Sequence, residues 1–509
     1  MEPKAKELND LPSDVLLLIF DQLNFRSRLT ASLVCHQWHQ LAFTTKFLQS
    51  LRLSLDIRNL DGLASSAGIL RKSHRPYRNM RIVFQGCRQQ SLDSIVQLLK
   101  PMDALLDLEM VFYFYCFREK LHVVLQELLS TRSSLTTMSF EIRGRLMNWG
   151  GWTHDPLPYQ SSAIIDVDEE RQIFPSLVSL TIKRNPGMFN PRFFEMQMSP
   201  SYLTFHSPPE PQIMPNLRRL TMACETEQQL SLFSCLSGQL EAISVVFFDP
   251  HGQQIEPFLE LDFPHAKELK LCTISLPHFT ALTGFVRKLR RIEILHLGDV
   301  LIDHDVIDAI LQNCTELRLL ELQMESLNAG CLKHITILTN LEKLILAGKK
   351  SVKYENYEDY FRGSSGQLPN CRSLTLQSFS FLSNEFVFSL APLMCNLQEL
   401  RLRECRGKNN VIGPIFEHFQ GLTRLEFIKV THGGARPTWP PKLDTVRLIN
   451  CAWITSDHLI KLVLRCPKLK HLNIYGCGTS KDMLQKIAEI VPAGCFVERT
   501  HNFTTDKQT

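Results

Sequence analysis

Leu469-Lys-His-Leu472-Asn-Ile474-Tyr-Gly-Cys477 carries aliphatic side chains at the first, fourth and sixth places of a nine-residue phrase, with a thiol at the ninth. The step of two between Leu472 and Ile474 is the period of a strand that buries one face. Just upstream, Leu459-Ile-Lys-Leu-Val-Leu-Arg-Cys466 repeats its apolar residues at helical spacing and stops at Pro467. A strand and a helix within some two dozen residues cannot bury a core alone. Such a unit needs copies of itself on either side.

The copies are present. Leu177-Val-Ser-Leu180-Thr-Ile182-Lys-Arg-Asn185, Leu397-Gln-Glu-Leu400-Arg-Leu402-Arg-Glu-Cys405 and Leu443-Asp-Thr-Val446-Arg-Leu448-Ile-Asn-Cys451 follow the same rule. Weaker phrases begin at Leu48, Tyr77, Leu105, Leu135, Leu217, Leu240, Ala266, Ile292, Leu317, Leu341, Cys371 and Leu422, mostly 21 to 30 residues apart. That period is the signature of leucine-rich repeats. Helical patterns at Ser94, Leu121, Val306, Leu459 and Met483 fall between strands as the period requires. Ile302 to Cys314 and Ile454 to Cys466 agree in length, each followed three residues later by a strand leucine. Cys405, Cys451 and Cys477 occupy the place of Asn185, where a small polar or thiol side chain can turn inward and satisfy backbone in the bend. The period breaks at 143–175, 185–216 and 347–370. The first two insertions are rich in aromatic and Met residues and leave one edge of the repeats side by side, which favours contact surfaces; the polar third is expected to be disordered.

Ahead of the repeats, residues 8–47 read LNDLPSDVLLLIFDQLNFRSRLTASLVCHQWHQLAFTTKF. Val15, Leu16, Ile19, Phe20 and Leu23 share one helical face, and Leu29, Leu33, Val34, Trp38 and Leu41 continue a second. Three short helices of this kind leave more apolar surface than they can cover, which marks a partner surface. Leu11-Pro12-Ser13-Asp14, Leu16, Ile19-Phe20, Leu23, Leu29, Val34-Cys35 and Trp38 resemble the F-box along its length, in order and spacing; Arg28 departs from it, standing where many members are acidic. The resemblance implies docking to a Skp-type adaptor through Leu11, Pro12, Leu16, Ile19, Val34 and Trp38, and through the adaptor to the cullin and RING subunits of a ubiquitin ligase. The repeat pattern around Cys451 to Cys477 likewise resembles the cysteine-containing repeats found behind F-boxes.

The fold expected is therefore α/β. A three-helix F-box at 8–47 follows a short tail at 1–7, and a leucine-rich-repeat solenoid fills 48–498, its curved parallel sheet inside and its helices outside. A polar tail covers 499–509.

Bulk properties narrow the functional classes. The chain has 509 residues, 44% hydrophobic and 21% charged, with a formal net charge of +4. That balance gives no global field for nucleic acid. The start, MEPKAKELND, has no apolar core of a signal peptide, and no apolar run approaches the ~20 residues of a membrane span. Fifteen cysteines without a single C-x-x-C pair read as reduced thiols in the cytoplasm or nucleus, with no metal or other cofactor. No G-x-S-x-G, H-E-x-x-H or phosphate-binding loop supports an enzyme.

In each phrase the third, fifth and seventh residues point to the inner sheet face. About sixteen strands at ~4.8 Å give an arc of roughly 70 Å, enough for a folded partner. Its middle carries an apolar stripe including Val246, Ile294, Leu319 and Ile345. Its C-terminal part carries Arg401, Arg403, Arg424 and Arg447 with His471, Asn473 and Tyr475, among which Glu426 falls between Arg401 and Arg447. These residues are candidates for holding a protein substrate, the arginines for an acidic or phosphorylated segment. They equally fit a solvated face with cross-strand ion pairs. Two functions stand: substrate receptor of an SCF-type ligase, or a repeat scaffold that binds the adaptor and delivers no target.

Overall fold

The computed structural model describes residues 11–44, 47, 51–57, 68, 77–85, 99, 102, 104–113, 134–143, 164–165, 176–184, 204–205, 214–224, 227–247, 255–273, 280–300, 302–323, 330–348, 357–379, 382–407, 411–431, 438–478, 481–492 and 494–499. The chain divides into two compact units, Met1–Leu236 and Ser237–Thr509.

The first unit opens with α1 (Ser13–Gln22), α2 (Phe25–Ala31) and α3 (His36–Ala42). Pro12 directly precedes α1, where its missing N–H costs nothing, and Asp14 sits in the first turn. The Asn24 side chain accepts the Ser27 N–H at 2.9 Å and starts α2, one residue after α1 has ended in the extended Leu23. Phe20, Ala42 and Phe47 form the core of these helices, with Trp38 edge-on to Phe20 at 5.4 Å. The single apolar face expected on α1 is split in two. Leu16 and Phe20 are buried, whereas Val15 and Ile19 are exposed. The stripes 15/19 and 16/20 lie about 100° apart, and Trp38 of α3 packs on Phe20 of the second.

Six parallel strands follow in order: β1 (Arg52–Ile57), β2 (Asn79–Gln85), β3 (Asp107–Tyr113), β4 (Thr137–Arg143), β6 (Ser179–Arg184) and β8 (Arg219–Cys224). Helix α4 (Glu227–Leu236) closes the unit. Two short strands, β5 (Ile164–Ile165) and β7 (Thr204–Phe205), pair in parallel with each other. They bring the first two insertions together, Ile164 opposite Thr204. The aromatic and methionine residues named in those insertions and, apart from the buried Leu99, the helical patterns from Ser94 and Leu121 lie outside the described residues.

The second unit is an eleven-stranded parallel sheet. Its first part runs β9 (Ala242–Phe247), α5 (Ile255–Glu260), β10 (Glu268–Thr273), α6 (Thr280–Lys288), β11 (Ile294–Asp299), α7 (His304–Asn313) and β12 (Leu319–Gln323). It continues through β13 (Lys343–Ala347), β14 (Ser373–Gln377), α8 (Asn384–Leu390), β15 (Glu399–Arg403), α9 (Ile412–His418) and β16 (Arg424–Ile428). It ends with β17 (Thr445–Ile449), α10 (Ser456–Arg465), β18 (His471–Tyr475), α11 (Lys481–Ile490) and β19 (Phe496–Arg499). Burial alternates along the strands: in β12 and β15 the fourth and sixth phrase residues are buried and their neighbours half-exposed. The helices cover the buried face, as short right-handed crossovers dictate. The unit is a solenoid-like α/β arrangement similar to that of leucine-rich-repeat proteins.

From Tyr77 to Leu469 each phrase start lies two residues before its strand. The exception is Leu48. Leu53 pairs with Met80 and Leu55 with Ile82, so the first phrase begins two residues later than expected, at Ser50, and buries Ile57 beside Phe84. Residues 357–370 of the third insertion correct the expectation of disorder. Tyr357–Phe361 is a 3-10 turn whose Tyr360 and Phe361 are buried, Phe361 against Phe386, filling the helix layer between β13 and β14. At the other end β19 pairs with β18 and takes in Arg499, which the sequence assigns to the polar tail.

Three ladders lock successive turns together. The first lies just past the strands: Ser378, Glu404, Lys429, Asn450 and Gly476 all have positive φ, between 51° and 62°. Each is the eighth residue of its phrase, and the N–H groups of the first four donate to the seventh residue of the next turn at 2.7–2.8 Å. Next to it, the Cys405, Cys451 and Cys477 thiols turn inward and donate to strand carbonyls at 3.3–3.6 Å. The third ladder occupies the opposite ends of the strands. Glu241, Lys267, Glu293, Arg318, Glu342 and Arg372 succeed one another at the second phrase position, with Lys267–Glu241 at 3.8 Å, Arg318–Glu293 at 3.8 Å and Arg318–Glu342 at 2.8 Å. The Asn340, Asn370 and Asn396 amides donate to the carbonyl two residues before each preceding phrase, at 2.9–3.2 Å.

Candidate functional site

Two surfaces remain open once these elements are packed. On the N-terminal helices, Val15, Leu18 and Ile19 of α1, Leu29 of α2, and Leu33 and Val34 after it are all exposed, Leu18 at 67% and Leu33 at 80%. Exposed aliphatics at such density on about thirty residues are unusual for a surface that meets only water. Of the adaptor-facing residues named from the sequence, Pro12, Ile19 and Val34 are exposed, and Leu11 and Trp38 are half-buried. Leu16 is a correction: at 1% exposure it belongs to the interior. Leu18 and Leu33 are the most exposed aliphatic side chains of these helices instead. Arg28 works inside the module, donating to the Leu23 carbonyl at 2.9 Å and lying over the Phe47 ring at 4.0 Å. It thereby satisfies the end of α1 and covers the core.

A comparison with family models falls on this module. Residues 8–54 match the F-box-like family. The N-terminal module is an F-box-like domain. No curated protein matches the chain. Among solved structures the chain is similar to a chain of the TLR13–ssRNA13 complex, at 18% identity and a TM-score of 0.36, covering 86% of this chain and 63% of that one. It is also similar to a chain of the Rad7 and Elc1 complex in yeast, at 13% identity and a TM-score of 0.38, covering 97% and 98%.

The second surface is the open sheet face behind the F-box-like domain in sequence. Register sorts its C-terminal residues into three rows. The outermost rows are Glu399, Arg424, Thr445, His471, Phe496 and Arg403, Ile428, Ile449, Tyr475, and between them run Arg401, Glu426, Arg447, Asn473 and Glu498. Glu426 stands between Arg401 and Arg447 by register, yet its carboxylate takes Arg403 at 2.7 Å and Arg447 at 3.2 Å. Arg401 folds back along its own strand to Glu399 at 2.7 Å. Half-burial alone would push the Glu399 carboxyl up, but hydrogen bonds from Arg401 and Ser373 and the nearby Arg401 and Lys343 charges outweigh it and hold the group below the usual range. Arg424 is exposed and makes no ion pair among the described residues. Asn473 donates to Glu498, and His471 stands edge-on to Phe496 at 6.3 Å.

The mid-sheet stripe is shorter than the sequence implies. Ile294 and Leu319 are direct neighbours and Ile345 is diagonal to Leu319, but Val246 lies in a different row beyond Glu268 and Lys270 of β10. A short His296–Glu321 hydrogen bond shares the middle row with Ile345. Sequence reading missed Ile428 and Ile449, half-exposed beside Arg403 and Tyr475, although the seventh phrase position names them. Among the described residues no three His, Cys, Asp or Glu side chains are placed to hold a metal ion, and no helix is long and apolar enough to cross a membrane.

Proposed function

We propose that this chain is the substrate-recognition subunit of an SCF-type cullin-RING ubiquitin ligase, acting in the cytoplasm or nucleus. Its F-box-like helices bind a Skp-type adaptor, and its repeats hold the protein to be ubiquitinated. The observation that carries this reading is the F-box-like match at residues 8–54, on helices that expose Leu18, Ile19, Leu33 and Val34 together. The chain itself catalyses nothing; holding target and ligase together makes transfer effectively intramolecular.

Leu18→Asp with Leu33→Asp tests the adaptor contact, because both side chains are exposed and neither supports the core. Adaptor pull-down with the full chain should fall about tenfold or more while the circular dichroism spectrum stays the same. Undiminished capture would refute the reading. Cullin in the same complex, and a bound protein whose half-life lengthens when the double variant replaces the parent, separate a receptor from a scaffold that binds the adaptor alone.

A further inference from the structure

We infer that the open face of β15–β18 is a docking surface for a short, extended, acidic segment of a partner protein, an assignment that rests on the receptor role proposed above. Arg424 and Arg447 are its charge contacts, and Ile428, Ile449 and Tyr475 are its apolar seat.

Charge is the first ground. Four arginines (401, 403, 424 and 447) face two carboxylates, Glu399 and Glu426, which leaves a surplus of two. The surplus has an address. Arg401 is held by Glu399, and Glu426 is divided between Arg403 and Arg447, whose side chain remains 47% exposed. Arg424 has no carboxylate within ion-pair distance among the described residues. An arginine fork without a carboxylate, on a sheet face where its neighbours exclude part of the water, fits carboxylate or phosphate oxygens.

Shape is the second ground. Ile428, Ile449 and Tyr475 succeed one another in register along one outer row, half-buried, with Arg447 in the adjacent middle row and Arg424 in the opposite outer row. Four strands span ~14 Å, so about five extended residues cross them. Glu498 on β19 bounds the patch and repels negative charge beyond β18. An occupant therefore sets its acidic residues over β16 and β17 and an aliphatic or aromatic residue towards Ile449 and Tyr475. A nucleic acid, charged at every unit, meets Glu399, Glu426 and Glu498 as well as the arginines, so the face favours a peptide.

The test is display selection of randomised twelve-residue peptides on the full chain. Selected peptides should share two acidic residues beside one apolar residue. A selected peptide, synthesised with a fluorophore, should bind Arg424→Gln about tenfold more weakly and Arg424→Glu with Arg447→Glu about a hundredfold more weakly, with the loss shrinking at high salt. Replacing its acidic residues by phosphoserine distinguishes the sources: tighter binding assigns the face to phosphate, equal or weaker binding to carboxylate. Arg424→Gln breaks no ion pair among the described residues, and an unchanged circular dichroism spectrum assigns its loss of binding to the surface. The surface is refuted if no peptide is selected, if selected peptides are not acidic, or if charge reversal leaves binding unchanged. A fluorescent twenty-nucleotide single strand that displaces the peptide and binds more tightly also refutes it. Adaptor pull-down by the Arg424 variants, and peptide binding by Leu18→Asp with Leu33→Asp, make failure here distinguishable from failure of the receptor reading.

Discussion

Gly476→Ala is a severe test of how the turns are locked. Gly476 has φ +62°, and a Cβ built there falls 1.9 Å from Asn450 Oδ1 and 3.1 Å from its Cγ. Two costs follow. A non-glycine residue in the left-handed region loses about 1 kcal/mol, and moving Asn450 off its position costs a further ~0.5–1.5 kcal/mol. Asn450 has little freedom to yield, since its own φ is +52° and its N–H is bound to the Tyr475 carbonyl at 2.7 Å. The sum is about 2 kcal/mol. Gly363→Ala is the control: its φ is +81°, but no atom lies within 4 Å of an added Cβ, so only the first cost applies. Urea denaturation of the full chain, followed by hydrogen exchange of peptides from β17 and β18, reads the C-terminal unit. Gly476→Ala should be the more destabilised by about 1 kcal/mol, and adding Asn450→Gly should return it to at least the Gly363→Ala level. Equal losses at the two glycines, or no rescue by Asn450→Gly, would show that the ladder past the strands does not constrain this turn.

Arg28→Glu, which restores the acidic residue usual at this place in the F-box, should destabilise the N-terminal helices here by about 1–2 kcal/mol; hydrogen exchange of the α1 amides checks it, and unchanged protection counts against the Arg28–Phe47 and Arg28–Leu23 contacts. Glu399 has a folded pKa below its ordinary 4.5, so its contribution is present above that pH and is lost as pH falls through the lowered value. Glu399→Gln should therefore flatten the stability–pH curve below pH 4.5, measured by urea midpoints. The neighbouring Cys451 thiol lowers the pKa of Cys477, whereas burial pushes Cys405 up to about 12 and Cys466 to about 11. Iodoacetamide at pH 7.5 should accordingly label Cys477 well before Cys405 and Cys466, read by mass spectrometry of the folded chain.

The repeat frame was legible because burying one face of every strand leaves the leucines no other place. The frame of β1 was not. Shifting by two residues keeps the same side chains on the same face, so alternation cannot choose between Leu48 and Ser50, and the contact of Ile57 with Phe84 does. The arginines of the open face could be listed from the phrase, but not their partners: Arg401 and Arg403 reach different carboxylates through side-chain rotamers that spacing does not encode. Ile428 and Ile449 were not legible as contacts, because an aliphatic residue at the seventh phrase position has no feature in the sequence that separates a contact from ordinary sheet surface. Tyr360 and Phe361 escaped because two adjacent aromatics in a polar stretch carry no period. On α1, neighbouring apolar stripes have the same composition, and only tertiary packing decides that Leu16 turns in while Leu18 and Ile19 stay out.

The alternation of Glu241, Lys267, Glu293, Arg318, Glu342 and Arg372 constrains how this stretch can change length. Removing residues 317–340 would excise one unit and set Glu293 beside Glu342; removing 317–370 would excise two and set Glu293 beside Arg372. Like charges directly opposite cost roughly 0.2–1 kcal/mol where unlike ones gain about as much. The one-unit deletion should therefore gain stability as salt is raised from 50 mM to about 0.5 M, while the two-unit deletion should not, because screening removes repulsion in the first and attraction in the second. A lineage that gained or lost repeats here by duplication would keep its charges matched only by moving in steps of two.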